Sequence, residues 1–238
     1  MALWIVATLV AYFVKGICGF ANSLIFDTIL SFGVNNVNIS PIDLLVNYPS
    51  NIVMIVKNRK SLDWKIYLPL IALVLAGSLP GALLLKNIDA GKIKLVFGFV
   101  VVLLGAEMFL RQYSHKKLKS SKIALAIVGV IAGALCGLFG IGALLAAYVG
   151  RVTDDQRAFK ANMNAVFFAE NTFRVVLYSI LGLITIETLK RVALLLPVSL
   201  IALAVGMKLS SKIDESASKK IISILLMLSG VSLILANL

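Results

Sequence analysis

Eight long apolar runs, separated by short polar stretches, make up most of the chain. They cover residues 3–32, 42–56, 66–85, 93–110, 123–150, 159–183, 189–207 and 221–238. Continuous apolar runs are typical of helices in lipid, because a helix satisfies its own backbone hydrogen bonds where water is absent. The pattern therefore predicts an all-α polytopic membrane protein.

Two of the runs are too long for a single crossing. A span needs about 20 residues, whereas the first run has 30 residues and the fifth has 28. Glycines interrupt both runs, at 16–22 and at 133–142. We therefore predict that each is a broken, re-entrant hairpin that returns to the side on which it started.

The distribution of lysine and arginine in the loops supports this prediction. If the first and fifth runs are hairpins, the loops on one side carry 16 cations and those on the other side carry five. If all eight runs span the membrane, the two sides carry nearly equal numbers. Cytoplasmic loops are enriched in cations, so the hairpin arrangement places both termini outside. We expect an integral protein of the prokaryotic inner membrane.

The two halves of the chain resemble each other in order. Cys18 recurs as Cys136, Asn51 as Asn171, and residue 105 as residue 230, with offsets that increase smoothly. We predict two inverted four-segment repeats, each a re-entrant hairpin followed by three transmembrane helices. The first repeat would cover residues 1–112, the second 123–238, and a basic cytoplasmic linker 113–122.

Composition excludes other protein classes. Sixty per cent of the residues are apolar and the mean hydropathy is +1.00. A net charge of +12 would suggest nucleic acid as the partner of a soluble protein. Here the cations lie in short loops between apolar runs, which indicates a membrane protein with no nucleic-acid partner. No spacing predicts a metal site or a cofactor.

Two cations lie outside the loops and are candidates for substrate binding. Arg174 follows Glu170 by four residues, so these two can form an ion pair on one helix face. Lys15 has no acid at that spacing and needs Asp27, Glu107 or an anionic ligand as its partner. A buried cation is costly in a membrane and usually serves a function.

Amide side chains and the two glycine breaks complete the predicted site. Asparagine side chains donate hydrogen bonds to an oxyanion without adding charge, and half-helix N-termini attract anions. The residues that we predict to bind substrate are Lys15, Gly19, Asn22, Asn47, Ser50, Asn51, Gly137, Gly140, Asn164, Asn171 and Arg174. Asp27, Glu107 and Glu170 are candidates for proton coupling.

These features resemble the TauE/SafE family of membrane transporters, the sulfite exporter family. The similarity covers nearly the whole chain: twin glycine-interrupted first helices, the order and lengths of eight segments, and a basic stretch at 57–64 that ends in Asp63-Trp64. The resemblance implies export or uptake of sulfur-containing anions such as sulfite, thiosulfate or organosulfonates.

The sequence thus predicts a secondary transporter, an exporter or permease, of a small anion bound at the midplane between the repeats. Its expected partners are this anion and membrane lipid, and a homodimer remains open. One alternative is an intramembrane enzyme acting on a lipid, but no reactive set of side chains is evident. Another is the substrate-binding subunit of a vitamin uptake complex, which would co-purify with energising partner proteins.

Overall fold

The structure is a computed structural model that describes residues 1–34, 36–87, 90–111, 122–140, 142–153 and 155–210, with isolated residues beyond 219. Nearly all of the predicted linker and much of the eighth run lie outside these residues. Within the described ranges the chain is helical, without strands. The helices are α1 (Ala2–Cys18), α2 (Asn22–Ser31), α3 (Asn36–Asn58), α4 (Trp64–Asn87), α5 (Ala90–Arg111), α6 (Lys122–Phe139), α7 (Ala143–Val152), α8 (Gln156–Ile180) and α9 (Ile186–Leu209).

The first and fifth apolar runs are each divided into two helices, at the glycines where the sequence predicts a break. α1 ends because Gly19 adopts a left-handed conformation, with a φ of 88°, and its N–H bonds to the Lys15 carbonyl. Gly140 ends α6 in the same way, with a φ of 69° and a bond from its N–H to Cys136. Glycine terminates helices in this manner because it lacks a Cβ.

α1 and α2 form a hairpin that returns to the end of the bundle where Met1 lies, here called the Met1 end. Trp4 in the first turn of α1 packs against Arg191 near the start of α9, at 5.1 Å, and against Phe26 of α2, at 5.9 Å. Val34, just after α2, lines a cavity together with Arg191. α2 therefore runs back alongside α1, and residues 19–21 form the tip.

α6 and α7 form a second hairpin from the opposite end, here called the Asp63 end. Residues 129 and 137 of α6 lie against residues 73 and 78 of α4, so these two helices run parallel. α8 also starts at this end, because the Asn162 side chain bonds to the backbone of Ser61 and Asp63. The chain thus leaves and returns at the Asp63 end, and residues 140–142 form the second tip.

Glycines bring the hairpins into backbone contact with helices of the other half of the chain. A β-carbon on Gly16 of α1 would lie 2.5 Å from the Leu203 carbonyl oxygen of α9. One on Gly137 of α6 would lie 2.3 Å from the Ser78 carbonyl oxygen of α4. Small residues at such interfaces are typical of helix packing in membranes. The α1–α9 and α4–α6 pairs therefore join the two halves.

Three helical stretches of the described chain are long and apolar enough to cross a membrane: Asn38–Ser61, Trp64–Leu84 and Ile186–Leu209. α8 is as long as these but much more polar. Its buried face carries Lys160, Asn164, Asn171 and Arg174. On the outside of the bundle, apolar side chains are exposed instead, for example Ile180 at the end of α8 and Ile201 on α9. α8 therefore lies at the centre of the polar interior, between α3 and α4.

Candidate functional site

Lys15 lies in the last turn of α1 and is completely buried. Its ammonium group donates to Asn47 Oδ1 at 2.5 Å, Ser50 Oγ at 2.8 Å and Asn51 Oδ1 at 2.5 Å. An ammonium group has three hydrogens, so all of its donors are used. The partners of Lys15 in the described part of the chain are therefore neutral oxygens of α3, not the carboxylates of Asp27 or Glu107.

The spacing of the α3 residues explains this contact. Asn47 and Asn51 are four residues apart and Ser50 lies between them, so the three side chains share one face of the helix. The Ser50 hydroxyl also donates to the Asn47 carbonyl at 2.7 Å. Because Lys15 binds both amide oxygens, the amide nitrogens of Asn47 and Asn51 point elsewhere.

Arg174 of α8 binds the C-terminal end of α6. Its guanidinium donates to the Cys136 carbonyl and lies 3.6 Å from Glu170 Oε1. The Tyr178 ring packs 5.1 Å from the guanidinium, and its hydroxyl donates to the Gly137 carbonyl at 2.8 Å. Cations stabilise the C-terminal carbonyls of helices. Arg174 is thus fixed beside the break in the second hairpin.

Glu170 has a second partner besides Arg174. The Ser78 hydroxyl of α4 donates to Glu170 Oε1 at 2.9 Å. Both Glu170 and Arg174 are almost completely buried. This agrees with the ion pair that the four-residue spacing predicts.

Lys160 corrects the interpretation that only Lys15 and Arg174 lie outside the loops. It is buried in the second turn of α8, where its ammonium donates to the Ile17 carbonyl at 2.6 Å. Asn164, one turn later, donates to the Gly19 carbonyl at 3.1 Å. The four-residue spacing between Lys160 and Asn164 places both on one helix face, and this spacing could have predicted that Lys160 is buried. Its position at the start of an apolar run concealed this face.

Asp43 is a second residue that sequence reasoning missed, although it is an acid inside an apolar run. It lies on α3, one turn before Asn47, with an exposed fraction of 1%, and Asp27 on α2 has an exposed fraction of 0%. The two carboxyl groups interact electrostatically with each other and with Arg174. Gly140 also lies here, because a β-carbon on it would be 3.0 Å from Asp43 Oδ2.

Several buried polar atoms of this region have no hydrogen-bond partner among the described residues. The donors are the Tyr12 hydroxyl, Asn51 Nδ2, Asn171 Nδ2 and Arg174 Nε, and the acceptors are Asn164 Oδ1 and carboxylate oxygens of Asp27 and Asp43. Leaving a buried donor unsatisfied costs about 1–3 kcal/mol. Water, a bound ion or a ligand can satisfy such groups.

Two further predicted residues, Asn22 and Glu107, lie on α2 and α5. Asn22 is buried at the start of α2 and donates to Ser23 Oγ at 3.3 Å. Glu107 is half-buried on α5. It is not among the described charged groups that act on Lys15, Asp27 or Asp43. Hydrogen bonds thus bring Lys15 together with Asn47, Ser50 and Asn51, and they bring Asn164 and Arg174 to the two hairpin breaks.

Comparison with known proteins identifies the family. The sequence profile described as "Sulfite exporter TauE/SafE" matches residues 4–233, nearly the whole chain. No curated protein and no solved structure gives a significant match. The match confirms the resemblance seen in the sequence, and it excludes the intramembrane enzyme because the family consists of transporters. The chain therefore belongs to the TauE/SafE family, whose members are membrane transporters of sulfite or related anions.

Proposed function

We propose that this protein is a secondary transporter that binds a sulfur oxyanion or an organosulfonate between α3 and α8. The observation that carries the proposal is a set of buried donors on α3 and α8 that have no partner among the described residues: Asn51 Nδ2, Asn171 Nδ2 and Arg174 Nε. A sulfonate or sulfite group presents three oxygens, which only accept hydrogen bonds. Three donors match the three oxygens of such a group.

The two central cations have different roles in this proposal. Arg174 has an unpartnered Nε and therefore contacts the anion directly. Lys15 has committed its hydrogens to Asn47, Ser50 and Asn51. It holds those amides in place and contributes positive potential at short range. The amide oxygens face Lys15, so the amide nitrogens are left for substrate.

The glycines of the two breaks serve as supports in this proposal. The Gly19 carbonyl already accepts from Asn164, and the Gly137 carbonyl accepts from Tyr178. These bonds fix the hairpin tips against α8. Gly140 lies nearer to the proposed anion site than the other glycines, because only a residue without a side chain leaves room there for Asp43 and Arg174.

The reciprocal packing of the hairpins supports an inverted repeat. The first hairpin starts at the Met1 end and contacts α9, the fourth helix of the second half, through Gly16. The second hairpin starts at the Asp63 end and contacts α4, the fourth helix of the first half, through Gly137. Exchange of this kind between two halves is typical of transporters built from inverted repeats.

The positive-inside rule supports an orientation. The Asp63 end includes the loops around 57–65 and 151–160, which belong to the cation-rich set. We assign this end to the cytoplasm and the Met1 end to the exterior of a prokaryotic inner membrane.

Two leucine substitutions on the same helix test the site. Asn171→Leu removes a donor that the described structure leaves unpartnered. We expect about tenfold weaker binding of sulfite, thiosulfate or sulfoacetate to the purified protein, because hydrogen bonds to charged groups contribute about 1.5–3 kcal/mol. We expect little loss of thermal stability, because the Asn171 amide nitrogen makes no hydrogen bond to a described residue that the substitution could break.

Asn162→Leu is the matched control. Asn162 lies on α8 too, but its amide bonds to Ser61 and Ala158 and its oxygen accepts from Asp63. We expect lower thermal stability and unchanged anion affinity. Acetate tests whether the site prefers sulfur oxyanions to carboxylates. Equal anion affinities of wild type and Asn171→Leu would contradict the proposed site.

A further inference from the structure

Asp27 and Asp43 form a buried acidic pair within the proposed transport site. They come from neighbouring helices, α2 and α3, and their exposed fractions are 0% and 1%. Neither oxygen of Asp27 accepts a hydrogen bond from a described residue, and Asp43 Oδ1 accepts none either. The Ser23 hydroxyl lies near Asp43. No other buried acid of the described chain is left so incompletely bonded.

The nearby cations are committed to other oxygens. Lys15 gives its three hydrogens to Asn47, Ser50 and Asn51. Arg174 donates to the Cys136 carbonyl and lies 3.6 Å from Glu170. The two cations therefore act on the acidic pair by electrostatic attraction, without a hydrogen bond between described atoms.

The charged and titratable groups that face the pair are few. From α1 these are Tyr12 and Lys15, and from α8 they are Glu170, Arg174 and Tyr178. Glu170 adds negative charge to the same region. Three buried carboxyl groups thus face two cations, one of which is already paired with Glu170.

An ionised carboxylate without hydrogen bonds costs several kcal/mol when buried, and two that face each other cannot both ionise at low cost. One proton shared between the two carboxyl groups removes this cost. We propose that Asp27 and Asp43 bind one proton between them and that this proton crosses the membrane together with the anion. This inference rests on the proposed function, and it adds a second transported species at the same site.

The coupling follows from electrostatics. A bound anion beside Arg174 repels an ionised carboxylate and thus favours the protonated pair, and by linkage the protonated pair strengthens anion binding by the same factor. The proton and the anion therefore load and leave together and cross in one direction. No covalent bond is made or broken, because the proton only moves on and off a carboxylate.

A cavity at the Met1 end offers a route for the proton. It has a volume of about 320 Å³ and is lined by Asn38 and Ile42 of α3 and by Thr185, Thr188 and Arg191 around the start of α9. Ile42 is the chain neighbour of Asp43, and Asn38 lies little more than one turn before it. The cavity thus reaches the first half of α3, within one residue of Asp43 in sequence.

The test measures proton movement directly. Proteoliposomes carry a pH-sensitive dye in the lumen, and thiosulfate or sulfoacetate is added outside. Both stay ionised near neutral pH, unlike sulfite, so a pH change in the lumen reports protons moved by the protein. We expect the wild type to acidify the lumen as the anion enters. We also expect anion affinity to rise about tenfold between about pH 8 and about pH 6.

Asp27→Asn mimics the protonated acid. It should still exchange internal for external anion, because exchange needs no net proton movement, and it should lose both the acidification and the pH dependence of affinity. Asp43→Asn should behave in the same way, so either variant suffices if the other does not fold. Asp155→Asn is the matched control: Asp155 is exposed and caps α8, and asparagine caps equally well.

The outcomes separate the two proposals. Anion uptake by the wild type without acidification, or acidification that survives in both asparagine variants, overturns the proton pair and leaves the transporter intact. Absence of any anion uptake or exchange by the wild type contradicts the proposed function itself, and the proton pair falls with it.

Discussion

The two hairpin breaks are alike in backbone and different in the groups that hold them. Each ends a helix at a glycine with a positive φ, Gly19 in the first break and Gly140 in the second. α8 supplies a cation to both, Lys160 to the Ile17 carbonyl and Arg174 to the Cys136 carbonyl. One helix thus binds the last turn of both half-helices.

The surroundings of the two cations differ. At the first break, Lys160 is accompanied by an amide, Asn164, and by the edge-to-face pair of Phe20 and Phe159 at 5.6 Å. At the second break, Arg174 is accompanied by Glu170 and by Asp43. The second break therefore lies among several ionisable groups, whereas the first is held by one cation, one amide and two aromatic rings. Similar backbones can thus serve different purposes in the two halves.

The largest expected effect is at the second break. Arg174→Gln leaves Glu170 buried without a cation, so we expect a loss of about 3–5 kcal/mol of stability together with loss of transport. Thermal unfolding in detergent gives the first quantity and proteoliposome uptake the second.

The double variant Arg174→Gln/Glu170→Gln separates these effects. It removes the uncompensated charge, so we expect stability to return in part while transport stays absent. If transport returned together with stability, Arg174 would be a structural residue only.

An intermediate effect is expected at the first break. Lys160→Met keeps the apolar stem that packs on Gly19 and removes the bond to the Ile17 carbonyl, at a cost of about 1–3 kcal/mol. We expect faster hydrogen exchange around residues 16–22 and unchanged anion affinity. Arg157→Met, an exposed cation on the same helix, should change neither. Weaker anion binding by Lys160→Met would show that the first break also contacts substrate.

The smallest effect compares the two glycines directly. Gly19→Ala and Gly140→Ala each force alanine into the left-handed region, at a cost of about 1–2 kcal/mol. Their environments then separate them: the β-carbon meets the flexible Lys160 stem at residue 19 and meets Asp43 and Arg174 at residue 140. We expect similar losses of stability, with weaker anion binding only for Gly140→Ala. Equal anion affinities for the two variants would remove the proposed difference between the breaks.

Local pattern predicted much of this architecture. Run length and glycine placement predicted both breaks, because a helix end is determined within a few residues. The four-residue spacing of Asn47 and Asn51 predicted a shared face, and that of Glu170 and Arg174 an ion pair. Such features depend on one helix only and can be read from the chain.

Contacts between distant segments could not be predicted in this way. Lys15 binds α3 rather than an acid, and Lys160 reaches the end of α1, because the hairpins pack on helices far away in sequence. Asp43 meets Ser23 of α2 and Arg174 of α8 only after these helices have packed on α3. The partners of a buried charge are therefore a property of the assembled bundle.

The glycine contacts between α1 and α9 have a consequence for biosynthesis. α1 leaves the ribosome well before α9, and the backbone that α1 packs against through Gly16 belongs to α9. Neither half of the chain contains the packing surface that its own hairpin needs. The first half must therefore wait in the bilayer, incompletely folded, until the second half has been inserted, and the two halves expressed as separate polypeptides should reach a stable fold only when made together.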